Sequence, residues 1–486
     1  MITFIIGLVI LFVGAAIYGS ICERIMKPNA AAQTPAIKLR DGVDYVPMGK
    51  WRNALIELLN IAGTGPVFGP IQGILFGPIA FITIPIGCVI GGAVHDYMVA
   101  MISMRNKGEQ TPMLMRRFFG NAVYGFYNIF VCLLLLLLGT VFIYTPGDLF
   151  VSKIIGGDIS TLTATVAVVY AVIFAYYLVA TLFPIDKIIG RVYPIFGAIL
   201  LLSAVGIFLG LFIGNYPLTE IWETSIFNAH PFGENFIPMF FVTVTCGIAS
   251  GFHSTQATLI SRTVTNEEHG RFVFYNTMIA EGFIAMTWSA AAMGLVNLGI
   301  ATNENLLKIP AVVVGNIAGE MLGSVGGMVA VFGVIILAIT SGDTALRSLR
   351  IIVGDALHID NKKKTNTLSL TLIIFTIVAF ILYYAKTDAN GFAILWRYFS
   401  WANESIVTFV FAMIAVYMIR NGMPYLMAVI PGTFYMYMVS TYILHAPIGF
   451  GLSYTLSYIL AAVCAAAYAA AIVRFGKQFS TSRRVR

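Results

Sequence analysis

Long apolar runs alternate along this chain with short polar connections. A hydrocarbon core takes about 20 apolar residues per helix. On that measure, spans are expected at 2–22, 54–76, 78–104, 121–145, 160–183, 190–214, 236–261, 273–299, 323–346, 366–385, 392–419, 424–446 and 449–475, thirteen in all. Two are interrupted. The first carries Gly63-Thr64-Gly65-Pro66-Val67-Phe68-Gly69-Pro70, where two prolines lack a backbone donor and three glycines are poor helix formers. The second carries Gly247-Ile248-Ala249-Ser250-Gly251 at its centre, followed by the polar run His253-Ser254-Thr255-Gln256. Irregular backbone survives at membrane depth only where protein buries it or it lines a polar cavity. Broken helices of this kind frame the binding sites of many transporters.

Each broken span is followed by four whole ones. Span 54–76 starts on one side and 236–261 on the other, so the two units of five are related as an inverted repeat. The fold class expected is an all-α polytopic membrane protein of about 13 helices, with a LeuT-like five-plus-five inverted repeat. The chain divides into an extra N-terminal helix and cytoplasmic loop (1–50), a first repeat (51–214), a second repeat (236–420), and two C-terminal helices with a basic tail (421–486). Short amphipathic pieces are expected within 299–322.

The basic residues support this count. Of 29 Lys and Arg, 25 fall in alternate connections, and three (Lys153, Lys308, Lys386) fall in the others. By the positive-inside rule the 25-residue set is cytoplasmic. This places the N-terminus outside and the C-terminus in the cytoplasm. Arg24 and Lys27 follow the first span, the opposite polarity to a secretory signal, so that span is expected to be retained.

Composition narrows the class. The chain has 486 residues, 59% hydrophobic and 10% charged, with mean hydropathy +0.87. Soluble domains carry about 25% charged residues. The net charge of +7 sits in loops between spans, which is topology rather than nucleic-acid binding. No P-loop is present, so energy for pumping comes from an ion gradient or a partner. The five cysteines are scattered at Cys22, Cys88, Cys132, Cys246 and Cys464, without metal-ligand spacing, and read as buried small residues. The six histidines are also dispersed. His95-Asp96 lacks the further ligands of a metal hydrolase. No catalytic group, metal or cofactor is expected, only a coupling cation.

The breaks expose N–H groups at one half-helix start, suited to a carboxylate, and C=O groups at another half-helix end, suited to a cation. Candidate substrate-binding residues are therefore Gly63, Thr64, Gly65, Pro66, Gly69, Gly247, Ser250, Gly251, His253, Thr255 and Gln256, with Glu404 near the middle of span 392–419. Thr340, Ser341, Asp343 and Thr344 offer hard oxygen ligands for Na⁺ or a proton acceptor, and Glu281 joins them as an ion-coupling residue. Two bland alternatives stand beside these. Asp343 can pair with Arg347 one turn on, and Arg397 with Glu404 on the same face.

Several of these segments together resemble one family. The run Gly63 to Pro70, the glycine-rich span ending in His95-Asp96, and Ser250-Gly251-Phe252-His253-Ser254-Thr255-Gln256-Ala257 carry the resemblance. So do Ile279-Ala280-Glu281-Gly282-Phe283, Ser341-Gly342-Asp343-Thr344-Ala345-Leu346-Arg347, and Leu395-Trp396 followed by Trp401-Ala402-Asn403-Glu404. Over roughly 50–475 the chain is similar to the carbon starvation protein CstA family. It looks like a short member, without the C-terminal extension of longer ones, and has Glu404 where many carry Gln. The resemblance implies a bacterial inner-membrane secondary transporter, linked to peptide uptake in carbon starvation or to proton-coupled pyruvate import. It also implies kinship with the amino acid–polyamine–organocation superfamily. In that fold a cation often sits between the first broken helix and the eighth core helix, here 323–346, which extends the suggestion to Thr340, Ser341 and Thr344. Import of a small carboxylate-bearing solute is the function expected. A membrane-embedded sensor or enzyme without transport, or a channel, is the alternative. Peptide versus pyruvate, H⁺ versus Na⁺, and oligomeric state stay open.

Overall fold

A computed structural model describes residues 1–41, 45–182, 189–359 and 364–483. Parts of the predicted loops 23–53, 184–191 and 347–365, and the end of the tail, lie outside the described residues. In chain order the helices are α1 (Ile2–Met26), α2 (Pro35–Lys38), α3 (Lys50–Ile61), α4 (Gly65–Gly73), α5 (Ala80–Gly87), α6 (Ala93–Arg105), α7 (Thr111–Phe119), α8 (Asn121–Phe150), α9 (Ala164–Leu182), α10 (Ile189–Ile213), α11 (Phe236–Val244), α12 (Gly251–Ile260), α13 (Asn276–Asn297), α14 (Asn303–Lys308), α15 (Pro310–Ala356), α16 (Lys364–Thr387), α17 (Gly391–Arg420), α18 (Leu426–His445) and α19 (Tyr454–Arg483). Among the described residues the only strand-like pairing is an isolated bridge between Met48 and Val264.

Ten of the described helical stretches are long and apolar enough to cross a bilayer, or eleven when α3 and α4 count as one bent span. Ala164–Ala180 and Ala198–Ile213 are shorter apolar helices.

Helix faces follow from who their neighbours are. On α1 the buried positions Phe4, Gly7, Leu11, Ala15, Gly19, Cys22 and Met26 recur every three or four residues and form one stripe. The stripe packs on α5 and α13. The opposite positions Ile5, Val9, Phe12 and Ile17 are exposed and apolar, as a lipid-facing surface requires. The same pattern marks the outer helices, with exposed Val168 and Val172 on α9, Ile373 and Phe380 on α16, and Ile459 and Val463 on α19. By contrast α6, α11, α12 and α17 are surrounded by other helices and almost wholly buried. Among these inner elements, α6, α12 and α17 carry His95, Asp96, His253, Gln256, Asn403 and Glu404.

Two expectations change here. The pieces foreseen in 299–322 are α14 and the first part of α15, and the helix continues well beyond 346. Gly323 takes φ +69°, in the left-handed region, where a chain with no Cβ redirects α15 without cost. Among the cysteines, Cys22, Cys88 and Cys246 are buried, but Cys132 is half-buried and Cys464 exposed, because α19 lies at the periphery.

Candidate functional site

The backbone breaks at the start of the glycine–proline run, and from Gly65 onward the run is helical, with Pro66 in the first turn of α4 and Pro70 inside it. α3 and α4 meet at 53° across residues 62–64. Ala62 leaves helical geometry with ψ 50°, and the amides of Val67 and Phe68 turn back to the Thr64 carbonyl. The Thr64 hydroxyl is buried with no hydrogen-bond partner. In the second broken span a tight turn at Thr245–Gly247 ends the first half. Ile248 and Ser250 are non-helical, and α12 starts at Gly251.

These two breaks cross in direct contact. A Cβ placed on Gly65 would lie 2.4 Å from Cβ of Cys246, and one on Gly247 would lie 2.9 Å from Cγ of Pro70. Gly69 packs in the same way on the Thr243 carbonyl and Trp396. Pro66 is buried beside them. Gly65 was expected among the substrate-binding residues. In the structure the Cys246 side chain fills the space beside it. Glycine is required at this crossing for proximity.

The start of α12 is capped from another helix. Asn403 of α17 accepts the backbone N–H of Phe252 at 2.9 Å and exchanges hydrogen bonds with Ser250 Oγ. Gly251 lies against the Asn403 carbonyl and Ile406. Glu404, next along α17, is fully buried beside Thr245 and Tyr435, and neither of its carboxyl oxygens has a hydrogen-bond partner. Arg397 does not reach it. Its guanidinium binds Glu234 at 2.8 Å, so the Arg397–Glu404 pairing is corrected. Thr255 bonds its own helix at the Phe252 carbonyl, and Gln256 reaches only Thr255 Oγ1. Both are half-buried one turn beyond the break.

The α15 block divides. Ser341 is buried, its hydroxyl unpartnered, and its oxygen lies 4.0 Å from where a Cβ on Gly63 would be. Gly63 also packs on Phe142 of α8. Thr340 and Thr344 spend their hydroxyls on backbone carbonyls of the same helix, at Ile336 and Ser341. Asp343 is 1% exposed and pairs with Arg347 at 3.6 Å, the i,i+4 arrangement the spacing allowed.

Glu281 belongs elsewhere. It faces His253 Nε2 at 3.6 Å. Nδ1 of His253 lies 3.2 Å from Asp96 Oδ2, and His95 Nδ1 lies 2.7 Å from Asp96 Oδ1. Glu57 of α3 neighbours Asp96 and Glu281, with both carboxyl oxygens unpartnered. All five side chains are at most 1% exposed. Two of the six dispersed histidines, His95 and His253, therefore converge on one aspartate. Sequence reasoning weighed His95 and Asp96 only as metal ligands, gave Asn403 no role and missed Glu57. The usable signal was burial depth: ionisable groups inside spans are suspect by default.

A cavity of about 280 Å³ opens where α8, α14 and α16 end, lined by Tyr144, Ser160, Lys308, Lys386, Asp388 and Asn390 among others. It shares Ala393 with a smaller cleft reaching Gln72 on α4 and Thr243 on α11. The cations around it are paired: Lys308 with Glu304, Lys386 with Asp148, Arg397 with Glu234. His230, in the connection before α11, lines the cleft too. Burial pushes its imidazole down to about 4, partly opposed by Glu234.

The sequence profile of the family described as carbon starvation protein CstA matches residues 1–178 and 149–319. The chain is 43% identical over 348 residues to a membrane protein of Haemophilus influenzae, covering 63% of this chain and 92% of that one. It is 25% identical over 337 residues to the peptide transporter CstA of Helicobacter pylori, covering 58% and 48% of the two chains. It is 24% identical over 340 residues to the pyruvate/proton symporter BtsT of Escherichia coli, covering 56% and 46%. The matches span about half the length of these two named transporters. Among solved structures, a manganese transporter of Eremococcus coleocola has TM-score 0.58 over 92% of this chain and 99% of its own, at 11% identity, which shows a shared fold. Among the described residues no three His, Cys, Asp or Glu side chains are grouped to hold a metal ion.

Proposed function

Because the chain belongs to the carbon starvation protein CstA family, we propose that it is a secondary active transporter importing a peptide or a small carboxylate such as pyruvate. It works across the bacterial cytoplasmic membrane, in the carbon starvation response, and is driven by H⁺ or Na⁺. The observation that carries this reading is the crossing of the two broken helices at Gly65–Cys246 and Gly247–Pro70. In lipid each broken turn must be satisfied by protein, and two interruptions packed on each other at the centre of a bundle are how many transporters frame a ligand site.

In this reading the bent pair α3–α4 and the two shorter apolar helices complete thirteen spans. Residues 51–214 and 236–420 are the inverted repeats, flanked by the N-terminal helix (1–50) and the C-terminal pair (421–486). The N-terminus lies outside and the C-terminus in the cytoplasm. Substrate binds where the breaks meet, once the Gly65–Cys246 contact loosens. Its carboxylate is met by the positive end of the α12 dipole, whose first turn Asn403 holds, with Ser250, Gly251, His253, Thr255 and Gln256 near and Glu404 opposite. No cofactor takes part beyond the coupling cation. Na⁺, if used, binds at Ser341 and Asp343 beside Gly63. Both named relatives being transporters speaks against a sensor or an enzyme.

Counterflow in proteoliposomes tests the reading, with pyruvate and a dipeptide as alternative substrates, with and without Na⁺. Exchange of either substrate that saturates supports it. Absence of exchange of both, or a flux without saturation, overturns it. A rise in uptake with Na⁺ that disappears in Asp343→Asn assigns sodium to α15, and uptake following a pH gradient in Na⁺-free buffer assigns the proton.

A further inference from the structure

We infer that the coupling proton is carried by the buried group Glu57, Asp96, His253 and Glu281, with His95 as a positioning residue, rather than at Asp343. This rests on the transport reading above and specifies its ion. The group is assembled from four elements: Glu57 from α3, His95 and Asp96 from α6, His253 from α12, Glu281 from α13. It lies apart from every Lys and Arg, for among the described residues none pairs with Glu57, Asp96 or Glu281. The other titratable groups turned toward it are Cys88, before α6, and Cys246, at the second break. Glu404 of α17 acts on Cys246 from beyond. Phe411 closes over the His95 ring at 5.5 Å.

Charge balance makes this a proton store. With all three carboxyls ionised, the group stays net negative even when both imidazoles are protonated. An uncompensated buried charge is among the most expensive features a fold can carry. The carboxyls therefore share a proton among them. His253 is built to pass them. Each ring nitrogen faces a carboxyl, Nδ1 toward Asp96 at 3.2 Å and Nε2 toward Glu281 at 3.6 Å. A neutral imidazole donates from one nitrogen and accepts at the other, so a proton given by one carboxyl emerges at the other with the tautomer exchanged. The proton enters from one aqueous side and leaves to the other, and the pH gradient supplies the free energy.

The same group touches both breaks. His253 is the third residue of α12, one turn from the proposed carboxylate site. Cys88, beside Glu281, donates to the Gly247 carbonyl at 3.0 Å. Glu57 lies on the half-helix that must turn about residues 62–64 if the first span moves. Loss of the shared proton leaves Glu57 and Asp96 as like charges within the group, a repulsion that opposes keeping α3 where it is.

The test uses the full chain in lipid. Without substrate, infrared titration of the protonated-carboxyl C=O band is compared for wild type, Glu57→Gln, Asp96→Asn and Glu281→Gln. With substrate, vesicles holding a pH-sensitive dye receive pyruvate or dialanine under a gradient of about one pH unit, which sustains about tenfold accumulation for a one-proton couple. Asp96→Asn and Glu281→Gln are expected to remove part of the titrating band, and to lower the ratio of gradient-driven uptake to counterflow about tenfold, toward no accumulation. Glu320→Gln, at an exposed carboxyl on α15, is the control and is expected to leave the dye response as in wild type. The proposal falls if the band is unchanged in all three cluster variants, or if Asp96→Asn and Glu281→Gln still accumulate substrate with proton entry. Glutamine and asparagine keep the shape of a protonated carboxyl; should one variant not assemble, the band of the other two decides. If wild type shows no counterflow, the transport reading fails, and the infrared titration still decides the proton site.

Discussion

Asn403 Oδ1 on α17 holds the backbone N–H of Phe252 at 2.9 Å, so α12 begins under the control of a helix about 150 residues away in sequence. A local N-cap is ordinarily worth about 1 kcal/mol. This one is buried, and its removal also strands Ser250. Asn403→Ala should lower unfolding stability in detergent by about 1–3 kcal/mol, the cost of unsatisfied buried donors. It should also weaken substrate binding by disordering the α12 start. A thermal midpoint equal to wild type would mean that packing alone sets that start.

Gly65 tolerates no side chain while Cys246 stays where it is. Gly65→Leu is expected to stop transport and to destabilise the crossing. Gly65→Ala is a milder clash, costing about 1–3 kcal/mol as overpacking does. Adding Cys246→Gly should restore much of that loss. Counterflow in the single and double variants decides it, and a double variant no better than Gly65→Ala would show that the two breaks do not contact.

Lys386 and Asp148 form a buried pair at 2.6 Å, each about 2% exposed at the side chain. Tyr170 donates to the other Asp148 oxygen at 2.6 Å, and the Lys386 ammonium also reaches the Ile159 carbonyl. Removing one partner leaves a lone buried charge, so Lys386→Met should cost about 3–5 kcal/mol. Lys386→Met with Asp148→Asn should cost less than Lys386→Met alone. Equal thermal midpoints for the single and double variants would contradict a charge-based origin.

His230 accepts backbone N–H groups of Phe232 and Glu234 at Nδ1, both at 3.3 Å, which requires the ring neutral. Its folded value of about 4 lies below the ordinary 6.5, so the unfolded chain binds the proton more readily. The stability His230 contributes is thus complete above about 6.5 and is lost as pH falls toward about 4. Limited proteolysis of the 214–235 connection should accelerate across that window in wild type. In His230→Gln the acceleration should flatten, and an unaltered pH profile would exclude the histidine as its source.

Much of the architecture was legible beforehand. A 20-residue apolar run in lipid can only be a helix, because every backbone group must be satisfied within the segment. The breaks were legible only to within a few residues: the chain leaves helical geometry at 62–64, just before Pro66, while Pro70 is accommodated inside α4. The i,i+4 pair of Asp343 and Arg347 followed from helical spacing. What spacing misplaced was Glu281, grouped with α15 but turned toward His253, and Arg397, matched to Glu404 on its own helix but bound to Glu234 in a distant connection.

The sequence by itself determined where long apolar helices form and, to within a few residues, where they fail, because those depend on local composition and on backbone chemistry carried by single residues. Only the tertiary structure decided that Glu57, Asp96, His253 and Glu281 share one buried volume, that Cys246 closes the space beside Gly65, and that Asn403 caps α12. Such partnerships depend on the rotation and separation of helices far apart in sequence. Periodicity fixes which face a residue occupies on its own helix and carries no information about what that face will meet.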